Sequence, residues 1–345
     1  MLQAEKINLK SRRSTTEVKN WLAQEVNLNY GLDADTTFVI RSGGKIIATA
    51  SRSGSVFKYF GVDSAHQGEN ITSTLLGALM DDAFQQGIYH YFIFTSPENR
   101  VLFESAGFHL VIQNEYACLL EGGVSSIDEF MAGLKAQLST PRGTRGAIVM
   151  NLNPMTKGHL YLIEDARQKV DELIVFIVEE DASVFPFSQR LTIAKEATKH
   201  LSGVTVLPGG PYMISQATFP TYFLKKTDEN LAAYTATDAG IFANYYAKNL
   251  EISDRFVGEE PLDPVTAAYN EALAKVLRTE GIGFHILPRL AYKGSVISAS
   301  RVRAHLAKGE MKEALDLVPH ATATYLTTDQ GQEIIAQLRE EEDKL

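Results

Sequence analysis

The chain is poor in cysteine, in positive charge and in long apolar runs, and each shortage excludes a class of protein. A single cysteine, Cys118, rules out an intrachain disulfide and fits a reducing cytoplasm. It lies in the strand-like run Tyr116-Ala117-Cys118-Leu119-Leu120, where a small buried hydrophobe is expected rather than a catalytic thiol. A net charge of −9 argues against a general nucleic-acid binder, which needs a basic surface to compensate phosphates. No apolar run approaches the roughly 20 residues that span a bilayer. The opening residues, with Glu5, Lys6, Lys10, Arg12 and Arg13, do not form the apolar block of a secretion signal. Sequence alone therefore predicts a cytoplasmic protein with no membrane or nucleic-acid partner, and it shows no internal repeat.

What remains is an ordinary globular composition, 45% hydrophobic and 22% charged, in 345 residues. That length suits two domains, each able to bury a core. Residues 1–123 read as a small α/β domain. An amphipathic helix from about Thr16 to Asn27 is followed by a hairpin across Ser42-Gly43-Gly44, a strand Val56 to Val62, and a helix Thr72 to Gln86. A strand Tyr91 to Thr95, a short helix Arg100 to Ser105, and a strand pair between His109 and Leu120 complete it. Residues 124–144 read as a connecting helix, Ser125 to Leu138, and a linker containing Ser139-Thr140-Pro141-Arg142-Gly143. In 145–345, strands near positions 147, 173, 204, 255 and 284 alternate with helices, which predicts a doubly wound parallel sheet.

Two segments of the second domain carry chemistry. Ala147-Ile148-Val149-Met150 reads as a buried strand, and from His159 onward apolar residues recur at helical spacing. Asn153-Pro154-Met155-Thr156-Lys157-Gly158-His159 therefore lies between a strand end and a helix start, where open α/β sheets bind ligands. Gly158 permits close backbone approach, first-turn amides and the helix dipole favour an anion, Thr156 and His159 offer donors, and Lys157 adds charge. Taken alone, the segment is read more simply as a threonine cap with a surface histidine. The second segment, Ser295-Val296-Ile297-Ser298-Ala299-Ser300-Arg301-Val302-Arg303, follows another strand, Phe284 to Leu287, and its Ser298 lies 139 positions after His159. It too is a helix start, with Ser298 and Ser300 hydroxyls and the guanidinium forks of Arg301 and Arg303 suited to phosphate. Together the two describe a triphosphate site.

Thr-x-Gly-His followed by Ile-Ser-x-Ser-x-x-Arg resembles the signature of nucleotidyltransferases related to class I aminoacyl-tRNA synthetases. The stretches Phe185-Pro186-Phe187-Ser188-Gln189-Arg190, Ser215 to Phe223, Arg255 to Pro261 and Val265 to Asn270 narrow the resemblance to the citrate lyase ligase family, over essentially the whole chain. The resemblance implies an acid–thiol ligase. It would use ATP and acetate to acetylate the thiol of the dephospho-coenzyme A-type prosthetic group on the citrate lyase acyl carrier subunit. Acetyl-adenylate would be the intermediate, and AMP and pyrophosphate would be released. It places Thr156, His159 and Lys157 in the chemistry, with Asn153, Gly158, Ser298, Ser300, Arg301 and Arg303 on the nucleotide. Mg2+ is expected mainly on the phosphates, with no nameable protein ligand. Glu259 and Glu260 follow a strand at the ligand edge, with a role near nucleotide or metal, whereas Asp238 and Asp254 read as surface or capping carboxylates. Phe219 to Phe223 is a candidate wall for acetate.

The first domain resembles the GNAT acetyltransferases, through Gln67-Gly68-Glu69-Asn70-Ile71-Thr72, Pro97-Glu98-Asn99-Arg100 and Phe103 to Phe108. Asn70 and Thr72 stand where that family's coenzyme A turn has small residues. The reading that follows is a retained scaffold that recognises the prosthetic group through Gln67, Gly68 and Asn70. Two alternatives remain open. One is an adenylyltransferase acting on a phosphopantetheine-type or nicotinamide nucleotide; the other is a GNAT N-acetyltransferase with a nucleotide-sensing C-terminal domain.

Overall fold

The structure, a computed structural model, describes residues 2–66, 70–179, 183–213, 230–259 and 264–342. The chain divides into two compact units, Met1–Glu129 with Phe219–Thr237, and Phe130–Thr218 with Asp238–Leu345.

The first unit runs β1 (Ala4–Lys6), α1 (Arg12–Glu25), β2 (Thr36–Ser42), β3 (Lys45–Ser53), β4 (Val56–Val62), α2 (Ile71–Gln85), β5 (His90–Thr95), α3 (Arg100–Glu104), β6 (His109–Gln113) and β7 (Cys118–Gly123). Its seven strands form one mixed sheet in the order β1-β2-β3-β4-β5-β7-β6. All neighbours are antiparallel except β4 and β5, which pair in parallel at only two positions, Val56 with Phe92 and Phe57 with Ile93. One face packs α2, through Ile71, Leu75, Leu76 and Leu79, against Ile47, Ala50, Phe57 and Ile93. Cys118 is fully buried here, and burial pushes its thiol up to about 11, which leaves it a packed hydrophobe. The short strand β1 is absent from the sequence reading. Its three residues are mostly exposed and carry two charges, so no apolar alternation marks it.

After α4 (Ile127–Lys135), the second unit runs β8 (Arg145–Met150), α5 (Lys157–Arg167), β9 (Glu172–Ile177), α6 (Phe187–Thr198) and β10 (Val204–Pro208). Then come α7 (Asn230–Ile241), whose residues up to Thr237 group with the first unit, a wide turn at Phe242–Ala247, α8 (Lys248–Leu250), β11 (Asp254–Gly258), α9 (Pro264–Thr279) and β12 (Gly283–Leu287). A small hairpin of β13 (Ala291–Tyr292) and β14 (Ser295–Val296) precedes α10 (Ala299–Ala307), α11 (Met311–Asp316), α12 (His320–Leu326) and α13 (Asp329–Glu342). The five large strands are all parallel, in the order β10-β9-β8-β11-β12. In β9, Leu173 to Ile177 are buried without interruption, the pattern of a strand covered on both faces. The predicted GNAT-like mixed sheet and the predicted doubly wound parallel sheet are both present, and β8 through β12 fall at the predicted positions. No helix among the described residues is long and apolar enough to cross a membrane.

Candidate active site

Strand β8 ends at Met150, and the chain then turns sharply: Leu152 takes a left-handed conformation at φ 57°, and the Asn153–Pro154 bond is cis. Arg190 of α6 holds this turn in place. Its buried guanidinium donates to the Asn151 carbonyl and side chain at 2.7 Å each, to the Val178 carbonyl beyond β9 at 2.8 Å, and to the Phe185 carbonyl at 2.9 Å. One cation thus ties together the carboxyl ends of two adjacent strands, and the desolvated charge is compensated by hydrogen bonds. In the sequence Arg190 stands out only as part of the family-like stretch Phe185 to Arg190. An arginine in a half-apolar helical run was the available signal.

Thr156 is fully buried and caps α5. Its hydroxyl accepts from the His159 amide at 3.2 Å, and the Thr156 amide donates back to His159 Nδ1 at 3.0 Å. This reciprocal box contributes about 1 kcal/mol to the helix start. It also decides the state of the imidazole. A ring nitrogen that accepts an amide proton carries a lone pair, so His159 is neutral and its proton sits on Nε2. Burial first, and the nearby positive charge of Arg289 second, lower its pKa to about 4, which keeps it neutral at physiological pH.

The first turn offers fewer open amides than the sequence reading supposed. The Lys157 amide donates to the Leu317 carbonyl at 2.8 Å, and its ammonium donates to the Asp316 carbonyl at 2.7 Å. The end of α11 therefore takes up the Lys157 amide and one donor of its ammonium. The Gly158 amide has no hydrogen bond among the described residues. A Cβ at Gly158 would come within 3.0 Å of the Ile297 carbonyl, so the glycine is where the two segments meet.

At the second segment, Ser298 caps α10 by accepting from the Arg301 amide at 3.2 Å, and its hydroxyl lies 3.0 Å from that of Ser300. The amides of Ala299 and Ser300 have no partner among the described residues. The two predicted guanidinium forks differ in what they do. Arg301 donates to the Tyr292 and Ser295 carbonyls at 3.3 Å each and so braces the β13–β14 hairpin. Arg303 is half-buried and donates to the Asn153 carbonyl, closing the second segment onto the first. Asn153 itself holds the Phe185 amide through its side-chain oxygen at 3.0 Å. Thr156, Gly158, His159, Ser298, Ser300 and Arg303 are thus brought to one sheet edge. Glu259 lies just past β11 with an exposed side chain, its amide on the Leu287 carbonyl at 2.8 Å.

Asp238 is not the surface carboxylate expected. It is 8% exposed, with Arg255 Nη2 at 3.2 Å and the Tyr269 hydroxyl at 2.6 Å. Arg255 projects from β11, an interior strand between β8 and β12, and is itself buried, so the fold supplies it with a counter-charge. Asp254 does serve locally, accepting from His285 at 2.7 Å and Ser253 at 2.6 Å. Gln67, Gly68, Glu260 and the stretch from Ser215 to Phe223 lie outside the described residues. No group of three or more histidine, cysteine, aspartate or glutamate side chains able to hold a metal is found among the described residues.

In the first unit, β4 and β5 separate beyond their two paired positions, and a cavity of about 580 Å³ opens between them. Phe60, Thr72, Ile93, Thr95, Asn99 and Phe103 are part of its wall. Its described lining contains no carboxylate, imidazole or phenol, so it offers hydrogen bonds and apolar contact but no acid–base pair. Asn70 stands at its rim in a left-handed conformation, φ 56°, without a side-chain cap on α2.

A splayed mixed sheet followed by a parallel sheet with two interlocked helix starts defines a GNAT-type unit joined to a nucleotidyltransferase-type unit. Residues 6–108 match the acetyltransferase (GNAT) family, and residues 145–326 match the citrate lyase ligase C-terminal domain. The chain belongs to the citrate lyase ligase family and is an enzyme of that family. It is 35% identical to the citrate (pro-3S)-lyase ligase of Escherichia coli (strain K12) over 325 residues, 91% of this chain and 92% of that protein. The corresponding ligase of Haemophilus influenzae is 36% identical over 291 residues, 82% of this chain and 86% of its own. A shorter match, 41% over 64 residues, links 18% of the chain to 39% of a phosphopantetheine adenylyltransferase from Streptococcus gordonii.

Proposed function

We propose that the protein uses ATP and acetate to acetylate the prosthetic-group thiol on the acyl carrier subunit of citrate lyase, by way of acetyl-adenylate. The observation that carries this reading is the interlock of the two segments: Gly158 against the Ile297 carbonyl, and Arg303 on the Asn153 carbonyl. It sets a neutral imidazole donor beside a second helix start with two open amides and two hydroxyls, a donor set suited to a polyphosphate rather than to a neutral ligand.

An acetate oxygen attacks the α-phosphorus as the bond to the β-phosphate oxygen breaks, and pyrophosphate leaves. The protein's part is positioning and charge stabilisation. His159 donates from Nε2 to the α-phosphate oxygens without losing a proton, since Nδ1 is already occupied as an acceptor. Ser298, Ser300 and the amides behind them hold the leaving pyrophosphate, with Arg303 fixing the loop. Thr156 acts through His159 by setting its tautomer. Mg2+ would neutralise the phosphates. The carrier thiolate then attacks the acetyl carbon and AMP departs. The cavity between β4 and β5 would take the pantetheine-type arm, because its neutral polar and apolar lining suits a chain of amides and methylenes.

Pyrophosphate exchange into ATP, measured with and without acetate, tests the first step; exchange should require acetate. The complete reaction, with deacetylated citrate lyase, should form a thioester and AMP rather than ADP. The short match to phosphopantetheine adenylyltransferase favours one competing reading, adenylyl transfer to a phosphopantetheine-type nucleotide. Acetate-independent exchange driven by such a nucleotide would establish that reading instead.

A further inference from the structure

The mouth of the cavity between β4 and β5 is marked by those of its lining residues that reach solvent. Asn70 and Ser73 at the start of α2, and Asn99, Leu102 and Ser105 on and beside α3, are exposed, whereas Ile93, Thr95 and Phe103 are buried. Leu102, 45% exposed, is the large apolar residue of that rim. Val101 lies outside the described lining and is 71% exposed. The Ser105 amide donates to the Val101 carbonyl at 3.0 Å, so the helical turn puts Val101 on the same face as rim residue Ser105. The rim thus runs on into Val101.

Of the three apolar side chains of α3, only Phe103 turns inward, with its ring 5.0 Å from that of Phe60. Val101 and Leu102 are the only adjacent pair among the large apolar residues exposed in the described chain, and burial in this fold does not account for them. Arg100 braces the helix, donating to Glu104 at 3.0 Å and to Gln113 of β6 at 3.2 Å, so the ridge is set before a partner arrives. Phe84 and Tyr89, also exposed, cover each other edge to face at 5.3 Å and form no part of this cavity's described wall. An arm bound in the cavity has one free end, its thiol, and one end joined to the carrier. With the thiol end among the buried residues, the joined end leaves at the mouth and brings the carrier's surface onto the rim. That tether makes the carrier, rather than a second copy of this chain, the occupant of the ridge.

We propose that Val101 and Leu102 form an apolar docking ridge for the acyl carrier subunit of citrate lyase. The proposal rests on the reading of the cavity as the site of the carrier's pantetheine-type arm. Val101 meets the carrier protein alone, whereas Leu102 borders both protein and arm. The test measures acetyl transfer by the full-length protein to deacetylated citrate lyase and, separately, to free pantetheine. It compares wild type, Val101→Glu, Val101→Ala and Thr72→Trp, the last of which fills the cavity. Val101→Glu should raise KM for citrate lyase about tenfold or more and Val101→Ala about threefold, with KM for pantetheine within about twofold of wild type in both. Thr72→Trp should raise KM for both thiols. A citrate lyase KM that neither Val101 variant moves overturns the proposal, and so does an equal rise for pantetheine, which would make Val101 part of the arm site. If the Val101 variants move neither KM while Thr72→Trp raises both, the docking ridge falls and the arm reading stands. If Thr72→Trp moves neither while Val101→Glu still raises the citrate lyase KM, the arm reading falls and the ridge stands as a carrier surface.

Discussion

Two helix starts, each at a candidate binding edge, are built on opposite plans. α5 begins with a reciprocal threonine–histidine box, a buried cap and a glycine pressed against the partner segment. α2 begins from a left-handed Asn70 with no side-chain cap, beside a cavity whose described lining holds no titratable side chain. At α5 the cap residues and the proposed reacting groups are the same side chains, so the local energy that starts the helix also holds the imidazole's tautomer. At α2 nothing of that kind is held. A site that must stabilise developing charge needs donors fixed before the reaction, whereas a site that only retains a flexible arm does not. The proposed function thus divides into catalysis in the second unit and holding in the first.

The largest effect is expected at His159. Replacement by alanine removes the Nε2 donor and also the acceptor of the Thr156 amide. Pyrophosphate exchange should fall by about 10²-fold or more, equivalent to roughly 2.7 kcal/mol of barrier. Loss of the box should cost about 1 kcal/mol of stability, measured by denaturant unfolding. Exchange that survives the substitution intact would move the chemistry away from α5.

Gly158→Ala comes next. The added methyl would sit 3.0 Å from the Ile297 carbonyl, a backbone atom that yields only by displacing the second segment. Exchange should drop by about tenfold, with little change in unfolding midpoint, because alanine's better helix propensity offsets part of the crowding. A large loss of stability with unchanged exchange would show the contact to be packing alone.

These two residues also mark how far sequence carried the argument. Caps, hydroxyls and the glycine are local features, and their spacing from a strand end can be counted along the chain. The parallel strands were legible for a similar reason, since a strand buried on both faces reads as an unbroken apolar run. The destinations of long charged side chains were not. Lys157 turns to a carbonyl at position 316, Arg190 spans two strand ends, and Asp238 is drawn inward by Arg255, each through a partner distant in sequence. A charged residue's type limits its partners to a class, but the tertiary fold selects among them.

A smaller effect is expected from pH. The folded pKa of His159, about 4, lies below the ordinary value of 6.5, so the unfolded chain takes up the proton first as pH falls. His159's contribution to stability is therefore complete above 6.5 and is lost between 6.5 and about 4. Exchange rates corrected for enzyme unfolding should show no His159 limb between pH 7 and 5.5. A limb centred near 6.5 that vanishes in His159→Gln would mean that the imidazole is protonated in the working enzyme.

The smallest effect on adenylyl transfer should come from the first unit. Asn70→Gly relieves a non-glycine residue at φ 56° and brings the turn closer to the coenzyme A-type pattern of small residues. If α2 only holds the carrier's arm, the substitution should leave pyrophosphate exchange within twofold of wild type. Only the second half-reaction should change, as a shift in KM for deacetylated citrate lyase at constant kcat, since tighter or looser holding acts equally on the bound carrier and its transition state. Free pantetheine thiols, too small to dock elsewhere on the protein, should show the same shift. A change in exchange itself would mean that the uncapped helix start governs the adenylate site as well, and the division between a holding unit and a reacting unit would not stand.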